Sequence, residues 1–420
     1  MNLTSDGPLM RRLACDTISP GLNPEYGWLA ERNLSDPVFM LHVADRPEGS
    51  PGRLRAALTE QLAADSYDGF GWSQHGLPAL RQRLESWIAA SEDWPAGCGL
   101  RVSVGWTGTG PAMFDLMRLI ADRSGTGAAV LVPEPGWSYR QRVLDSGLTP
   151  VSYPVSVASS AGPTVDSFAE VVHGCRTEGR PIGLILLNPQ HNPTGANFAP
   201  ELIRAIDRLA VDHNTFVLVD NAFFDLTATG VAPVSAVPLL ARTAERGRLC
   251  HVRSLSKQFG CNSWSLGAVS ASRVLLDEFA DRWRGSREDP CGLRMQAAMA
   301  TWLESADAAM YTAGRRAEIA SNAALLRERL TAQGLTVIAH GGAPYGLLRL
   351  PPWTTDHLSF RHALFRRTGV IAGVAAQPGG PGWLKLFLGR DTGLFASATT
   401  AIANAAGLWR DRSECLAGSA

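Results

Sequence analysis

The sequence predicts an α/β fold: a large domain with a mostly parallel sheet covered by helices, plus a smaller α+β domain formed by the two chain ends. Three observations carry this. Between about residues 78 and 270, short apolar runs alternate with amphipathic stretches of helical period, the pattern of a sheet buried on both faces. Beyond about residue 290 the alternation gives way to one long helical region and then to separate strand-like pieces. The 420 residues allow two or three domains, and with 45 % hydrophobic and 19 % charged residues the chain can bury a large core.

In chain order, the first 50 residues are interrupted by Pro20, Pro24, Pro37 and Pro47 and read as an arm. A helix follows over 52–64, with Leu54, Leu58 and Leu62 on one face, and another over 78–91, with Leu80, Leu84 and Ile88. Strands are expected at 128–132, 182–187, 215–219, 249–253 and 266–271, and helices at 110–122, 138–146, 200–212 and 235–246. A helical region over 290–334 leads to strand-like pieces at 335–339, 346–350 and 383–388 and a last helix over 393–410. The expected division is an N-terminal arm with part of the small domain over 1–65, a large domain over 66–300 and a C-terminal small domain over 301–420.

Several function classes are disfavoured. Net charge is zero, so no strong basic field marks a nucleic-acid binder. No apolar run approaches the roughly 18 residues that span a bilayer, and residues 1–12 lack a signal-peptide core, so a cytoplasmic location is expected. The seven cysteines form no CxxC pair and read as reduced thiols; the nine histidines form no HxxxH or HExxH pattern, so no metal site is expected.

Lysine usage is the unusual feature. Of 39 basic residues only Lys257 and Lys385 are lysines. A lysine offers a primary amine that can lose its proton and attack a carbonyl, which arginine cannot. Lys257 lies in Ser254-Leu255-Ser256-Lys257-Gln258-Phe259-Gly260, just past an expected strand. Three further signals precede it. Thr107-Gly108-Thr109-Gly110 opens a helix, where backbone amides and the positive helix end suit a phosphate, although an ordinary helix-entry turn reads the same way. Asn188-Pro189-Gln190-His191-Asn192-Pro193-Thr194-Gly195 is a stiff loop at a strand's carboxyl end, where open α/β sheets bind ligands. Asp220 ends another strand, where a carboxylate could equally cap the next segment.

Together these segments resemble the class I/II aminotransferase family of fold type I pyridoxal-phosphate enzymes, over about residues 66 to 410. The resemblance implies pyridoxal 5'-phosphate as cofactor. Lys257 would be the amine that joins the cofactor aldehyde and then the base at the substrate α-carbon. Asp220 would pair with the protonated pyridine nitrogen, Asn192 would donate to the ring's phenolate oxygen, and Trp137 would stack on the ring. Gly108, Thr109, Gly110, Ser254 and Ser256 would hold the phosphate. It also implies a homodimer with the site at the interface and an amino-acid-like substrate.

Three positions depart from the family pattern. Phe223 stands where a tyrosine usually donates to the phenolate oxygen, a loss that should raise the pKa of the bound cofactor's imine. Ser265 stands where a phosphate-binding arginine is usual; Arg253, or Tyr67 of the partner subunit, are candidates to compensate. Lys385 falls at the position of the substrate-carboxylate arginine, and an ammonium cannot bind a carboxylate bidentately; Arg390 is the alternative. His75 matches a loop that relatives place near the cofactor edge and could act on the substrate. These departures point to a specialised member, as in bacterial natural-product pathways. Transamination is the default expectation. The alternatives are β-elimination, as in a C–S lyase acting on a cysteine S-conjugate, and oxygen-dependent oxidative deamination or decarboxylation.

Overall fold

The computed structural model describes residues 24–33, 35–64, 73–284, 291–375, 382–411 and 413. Its strands are β1 (Phe39–Met40), β2 (Leu100–Gly105), β3 (Ala129–Glu134), β4 (Thr149–Pro154), β5 (Ile182–Leu187), β6 (Phe216–Asp220), β7 (Leu249–Ser254), β8 (Gly267–Ser272), β9 (Val337–Ile338), β10 (Tyr345–Arg349), β11 (Val370–Ile371), β12 (Gly373–Ala375) and β13 (Trp383–Phe387). The helices that frame them are α1 (Gly52–Ala63), α2 (Pro78–Ser91), α3 (Thr109–Ser124), α4 (Tyr139–Asp145), α5 (Val165–Thr177), α6 (Pro200–Asp212), α7 (Ala241–Glu245), α8 (Leu255–Phe259), α9 (Arg273–Phe279), α10 (Leu293–Glu304), α11 (Ala306–Thr331), α12 (His357–Thr368) and α13 (Thr392–Asn404).

Seven strands form the large sheet in the order β2-β8-β7-β6-β5-β3-β4. The pairs from β7 through β4 are parallel, and β8 runs antiparallel to both its neighbours. The sheet is covered on both faces because strand side chains alternate. Leu184 and Leu186 of β5 join Phe216 and Leu218 of β6 in a cluster under α3, while Ile185, Leu187, Val217 and Val219 join a second cluster with Phe168 of α5 and Leu202 and Ile206 of α6. Both faces must then be apolar, which is why β5 reads as an unbroken hydrophobic run.

The smaller sheet is antiparallel, in the order β12-β13-β10-β9, and β1 pairs with β11 in parallel. Strand pairing between residues 39–40 and 370–371 supports a small domain built from both chain ends. Its core, with Phe39, Leu326, Leu364 and Leu384, also takes in Ala222 and Phe223 from just past β6. Helix α1 packs Leu54 elsewhere, against Leu80 and Leu84 of α2 and Met299 of α10.

The sequence expectation omitted β1, β2, β4, β11 and β12. β2 and β4 carry polar residues or proline, and the others have two or three residues each, too few for a period to show. The helical region over 290–334 is two helices. Ser305 is extended, at φ −80° and ψ 140°, and its hydroxyl accepts from the Asp307 amide to cap α11. The expected helix over 235–246 begins instead as a 3-10 turn, Val237–Leu240, before α7. The last helix stops at Asn404 and is followed by a 3-10 turn, Ala406–Trp409. Among the described residues no helix is long and apolar enough to cross a membrane.

Candidate active site

The carboxyl ends of β5, β6 and β7 and the amino end of α3 surround a cleft of about 230 Å³. Each wall follows from local chemistry. Gly108 precedes α3 with φ at +92°, a conformation that disfavours any side chain, so the chain turns into the helix with the first amides directed at the cleft. The loop after β5 is pinned to the end of β6: the Asn188 side chain donates to the Asp220 carbonyl at 2.7 Å and accepts from the Asn192 amide at 2.8 Å. Asn192 lines the cleft, and its own side-chain amide has no hydrogen bond to a described residue.

Asp220 ends β6 and is buried. One carboxylate oxygen accepts the Tyr139 hydroxyl at 2.7 Å and the other accepts the Ala222 amide at 3.1 Å. Tyr139 is itself buried, and burial first, then the charge of Asp220, raises its pKa well above the usual phenol value. It therefore stays a donor to the carboxylate across the working pH range.

Lys257 sits in the one-turn helix α8, whose start is capped by the Ser254 hydroxyl accepting from the Lys257 amide at 3.3 Å. The Nζ atom lies 4.7 Å from the centroid of the Phe223 ring and 5.8 Å from that of Trp137. Burial lowers its pKa, Asp220 raises it and Arg142 lowers it, with a net fall. A fall increases the share of neutral amine, the form that attacks a carbonyl. Ser256 lines the cleft, but its hydroxyl donates to the Leu266 carbonyl at 3.1 Å and accepts the Leu266 amide at 2.8 Å, closing the loop from α8 to β8. Thr109, Gly110 and Ser265 complete the α3 end.

Lys385 lies on β13 beside Tyr345 of β10, with Nζ 5.1 Å from the Tyr345 ring centroid. The Tyr345 ring meets Phe223 edge-on at 5.3 Å, and Lys257 faces the other ring of that pair. Among the described residues no carboxylate lies within ion-pairing distance of Lys385. Burial, then the charges of Lys257 and Arg361, push its pKa down to about 8.

Three sequence candidates are placed elsewhere, and a fourth lies outside the described residues. Arg253 points to the opposite side of β7 from Ser254, as strand alternation requires. It is buried between Trp87 and Phe224, pairs with Glu92 at 3.0 Å and with Asp225, and does not line the cleft. Arg390 is fully buried and committed to Glu48 at 2.9 Å and to the Met40 carbonyl at 2.7 Å, so its guanidinium is used in holding the N-terminal segment. His75 lies in a separate cleft, 3.4 Å from Asp277, with Arg81 and Glu85 nearby. Tyr67 lies outside the described residues.

Sequence reasoning missed Tyr139 and Arg142. Both lie in α4, three residues apart and so on one helix face, and both line the cleft. That spacing directly after Trp137 was the available signal. Asn188, inside the quoted loop, also proves to be the strut between β5 and β6.

The arrangement suits a flat heteroaromatic ring. Trp137 and Phe223 supply apolar faces, Asp220 an anion for a cationic ring atom, the α3 end an anion pocket, and Lys257 an amine for an aldehyde. The comparisons with known proteins agree. The family model for aminotransferase class I and II matches residues 47–402. The probable aspartate/prephenate aminotransferase of Thermus aquaticus is 25 % identical over 311 residues, 72 % of this chain and 74 % of that protein. The histidinol-phosphate aminotransferase of Chlorobium luteolum is 25 % identical over 263 residues, 62 % of this chain and 65 % of that protein. The structure of aspartate aminotransferase from Thermus thermophilus with maleate superposes with a TM-score of 0.77 at 21 % identity, covering 94 % of this chain and 98 % of that one. The chain belongs to the aminotransferase class I and II family, and is thus a pyridoxal-phosphate-dependent enzyme.

Proposed function

We propose that this enzyme transfers the α-amino group of an amino acid to a keto acid, using pyridoxal phosphate held in the cleft beside Lys257. The observation that carries the reading is the convergence of Lys257, Asp220 and Asn192 from three strand ends on one cleft. When bound, the cofactor supplies an aldehyde that captures amines and a cationic ring that accepts the electron pair left at the α-carbon.

The chain's own groups take the remaining roles. Asp220 holds the positive charge at the ring nitrogen, and Tyr139 fixes the orientation of that carboxylate. Asn192 offers a free amide to the ring oxygen, a contact that Phe223 cannot supplement. Trp137 packs on the ring face, and the amides at Gly108, Thr109 and Gly110, with Ser254, bind the phosphate. Lys257, whose pKa is lowered by burial, moves the proton at the substrate α-carbon. Lys385 holds the substrate carboxylate from the small-domain side. The division at about residues 65 and 300 puts that cation on one domain and the cofactor groups on the other. We also propose a homodimer, as the family resemblance implies, and a specialised substrate, which the replacements at Phe223 and Lys385 support.

Lys257→Ala tests the reading. The purified protein should absorb visible light, and borohydride should fix the cofactor to Lys257; the variant should lose the covalent adduct and activity by at least about 10⁴-fold. Wild-type turnover of single amino acids should require a keto-acid acceptor. Ammonia release with no acceptor would replace transamination by elimination, or by oxidation if oxygen is consumed.

A further inference from the structure

The phosphate end of the cleft lacks a cation from the expected direction. Ser265 holds the position after Lys257 where an arginine is usual, and it sits against the α3 end: a side chain on Gly108 would lie 3.7 Å from the Ser265 carbonyl oxygen. The helix end contributes about half a positive charge. A hydroxyl adds a single donor, so a dianion there would be left under-compensated.

A guanidinium occupies the other flank. Arg142 reaches from α4 into the cleft, and a side chain on Gly110 would lie 3.5 Å from its Nη2 atom and 3.7 Å from the Trp137 ring. Its guanidinium carbon lies 4.2 Å from the Trp137 ring centroid. Within the described chain it makes one long hydrogen bond, 3.4 Å to the Ser138 carbonyl, and no ion pair. The other arginines near this region are different: Arg253 and Arg390 are buried and paired with Glu92, Asp225 and Glu48. Arg142 is thus a half-buried, fork-shaped cation beside the first turn of α3 with its donors open to the cleft. Burial lowers its pKa, and the nearby Tyr139, Asp145 and Asp220 do not fully offset that fall.

We infer that Arg142 is the cofactor-phosphate anchor of this enzyme, supplying from α4 the bidentate cation that position 265 lacks. The inference rests on the proposed cleft and Lys257 reading. It assigns the phosphate a partner that arrives on the Trp137 side of α3 and not on the Ser265 side.

The test uses the full-length apoprotein, wild type and the variants R142Q and R142K. Each is titrated with pyridoxal phosphate and with pyridoxal, which lacks the phosphate, by visible absorbance. Inorganic phosphate is added separately and the melting temperature recorded. In R142Q, pyridoxal phosphate affinity should fall on the order of 10- to 100-fold, while pyridoxal affinity changes less than about twofold. Stabilisation by inorganic phosphate should be lost. R142K, a cation without the fork, should fall between the two. Retained pyridoxal binding shows that R142Q is folded; if R142Q does not fold, the R142K titration decides. Unchanged phosphate-dependent affinity in the variant that folds overturns the inference, and a raised KM for the amino acid alone would reassign Arg142 to the substrate. Failure of the wild type to form a coloured adduct with either aldehyde would instead remove the reading beneath it.

Discussion

Lys257 and Lys385, the chain's two lysines, stand in opposite electrostatic settings. Lys257, at the carboxyl edge of the large sheet, faces a carboxylate: the charge of Asp220 raises its pKa against the fall caused by burial. Lys385, on the small sheet, has only cations among the charges that shift it, Lys257 and Arg361, and its pKa falls to about 8. The cofactor end therefore carries its own anion in the free chain, whereas the small-sheet end has none among the described residues. A buried cation without a counter-ion destabilises a fold. Its presence on β13, across a Tyr345–Phe223 ring pair from Lys257, is the arrangement expected of a carboxylate receptor.

The sharpest break of this contrast is to remove the anion at the cofactor end. Asp220→Asn should lower kcat on the order of 10²- to 10³-fold, because the charge facing the ring nitrogen is lost while the Tyr139 contact can persist. Steady-state kinetics and cofactor titration check it, and near-normal kcat would show that the carboxylate only caps the Ala222 amide.

Removing the unmatched cation should have an effect of the opposite kind. Lys385→Met should raise KM for the amino acid about 10- to 100-fold with little change in kcat, and should stabilise the apoprotein by about 1–3 kcal/mol. In the wild type, KM should rise as pH passes upward through about 8, since the ammonium proposed to bind the carboxylate is lost there. The stability trend has its own sign. The folded-state pKa of about 8 lies below the ordinary 10.5, so between these values the unfolded chain binds more protons and stability rises with pH. K385M should flatten that rise. Thermal melts from pH 7 to 10.5 give the measurement; equal slopes in both proteins would refute the setting described for Lys385.

The smallest effect concerns the ring wall between the two lysines. Phe223→Tyr adds a donor beside Lys257 without adding charge. The pH midpoint of the visible absorbance should drop by about one unit, with kcat altered less than about tenfold. An unshifted midpoint would mean that the new hydroxyl does not reach the cofactor oxygen.

Much of the candidate site was legible because the main residues lining the cleft end or directly follow local elements. The strand over 182–187 and the Asn188–Gly195 loop, Asp220 at the end of β6, and Lys257 just after β7 are contiguous signals, and a strand's carboxyl end places them at one edge of the sheet. Side-chain direction was less legible. Arg253 and Ser254 are adjacent, yet strand alternation sends one to a buried ion cluster and the other to the cleft. Arg390 is claimed by Glu48, 342 positions away in the chain, a pairing no local pattern shows. His75 is close to the motifs in sequence but falls in another cleft.

By itself, then, the sequence determined the alternating α/β plan, the family, and the three strand-end residues Asn192, Asp220 and Lys257, because hydrophobic period and turn chemistry act over a few residues. Tertiary structure alone decided which cations are matched. Arg253 and Arg390 are neutralised by distant carboxylates, while Arg142 lines the cleft and Lys385 is buried, neither in an ion pair among the described residues. The physical reason is that charge pairing depends on a few ångströms between atoms brought together by sheet order and domain packing, and those distances are not encoded in any short stretch of chain.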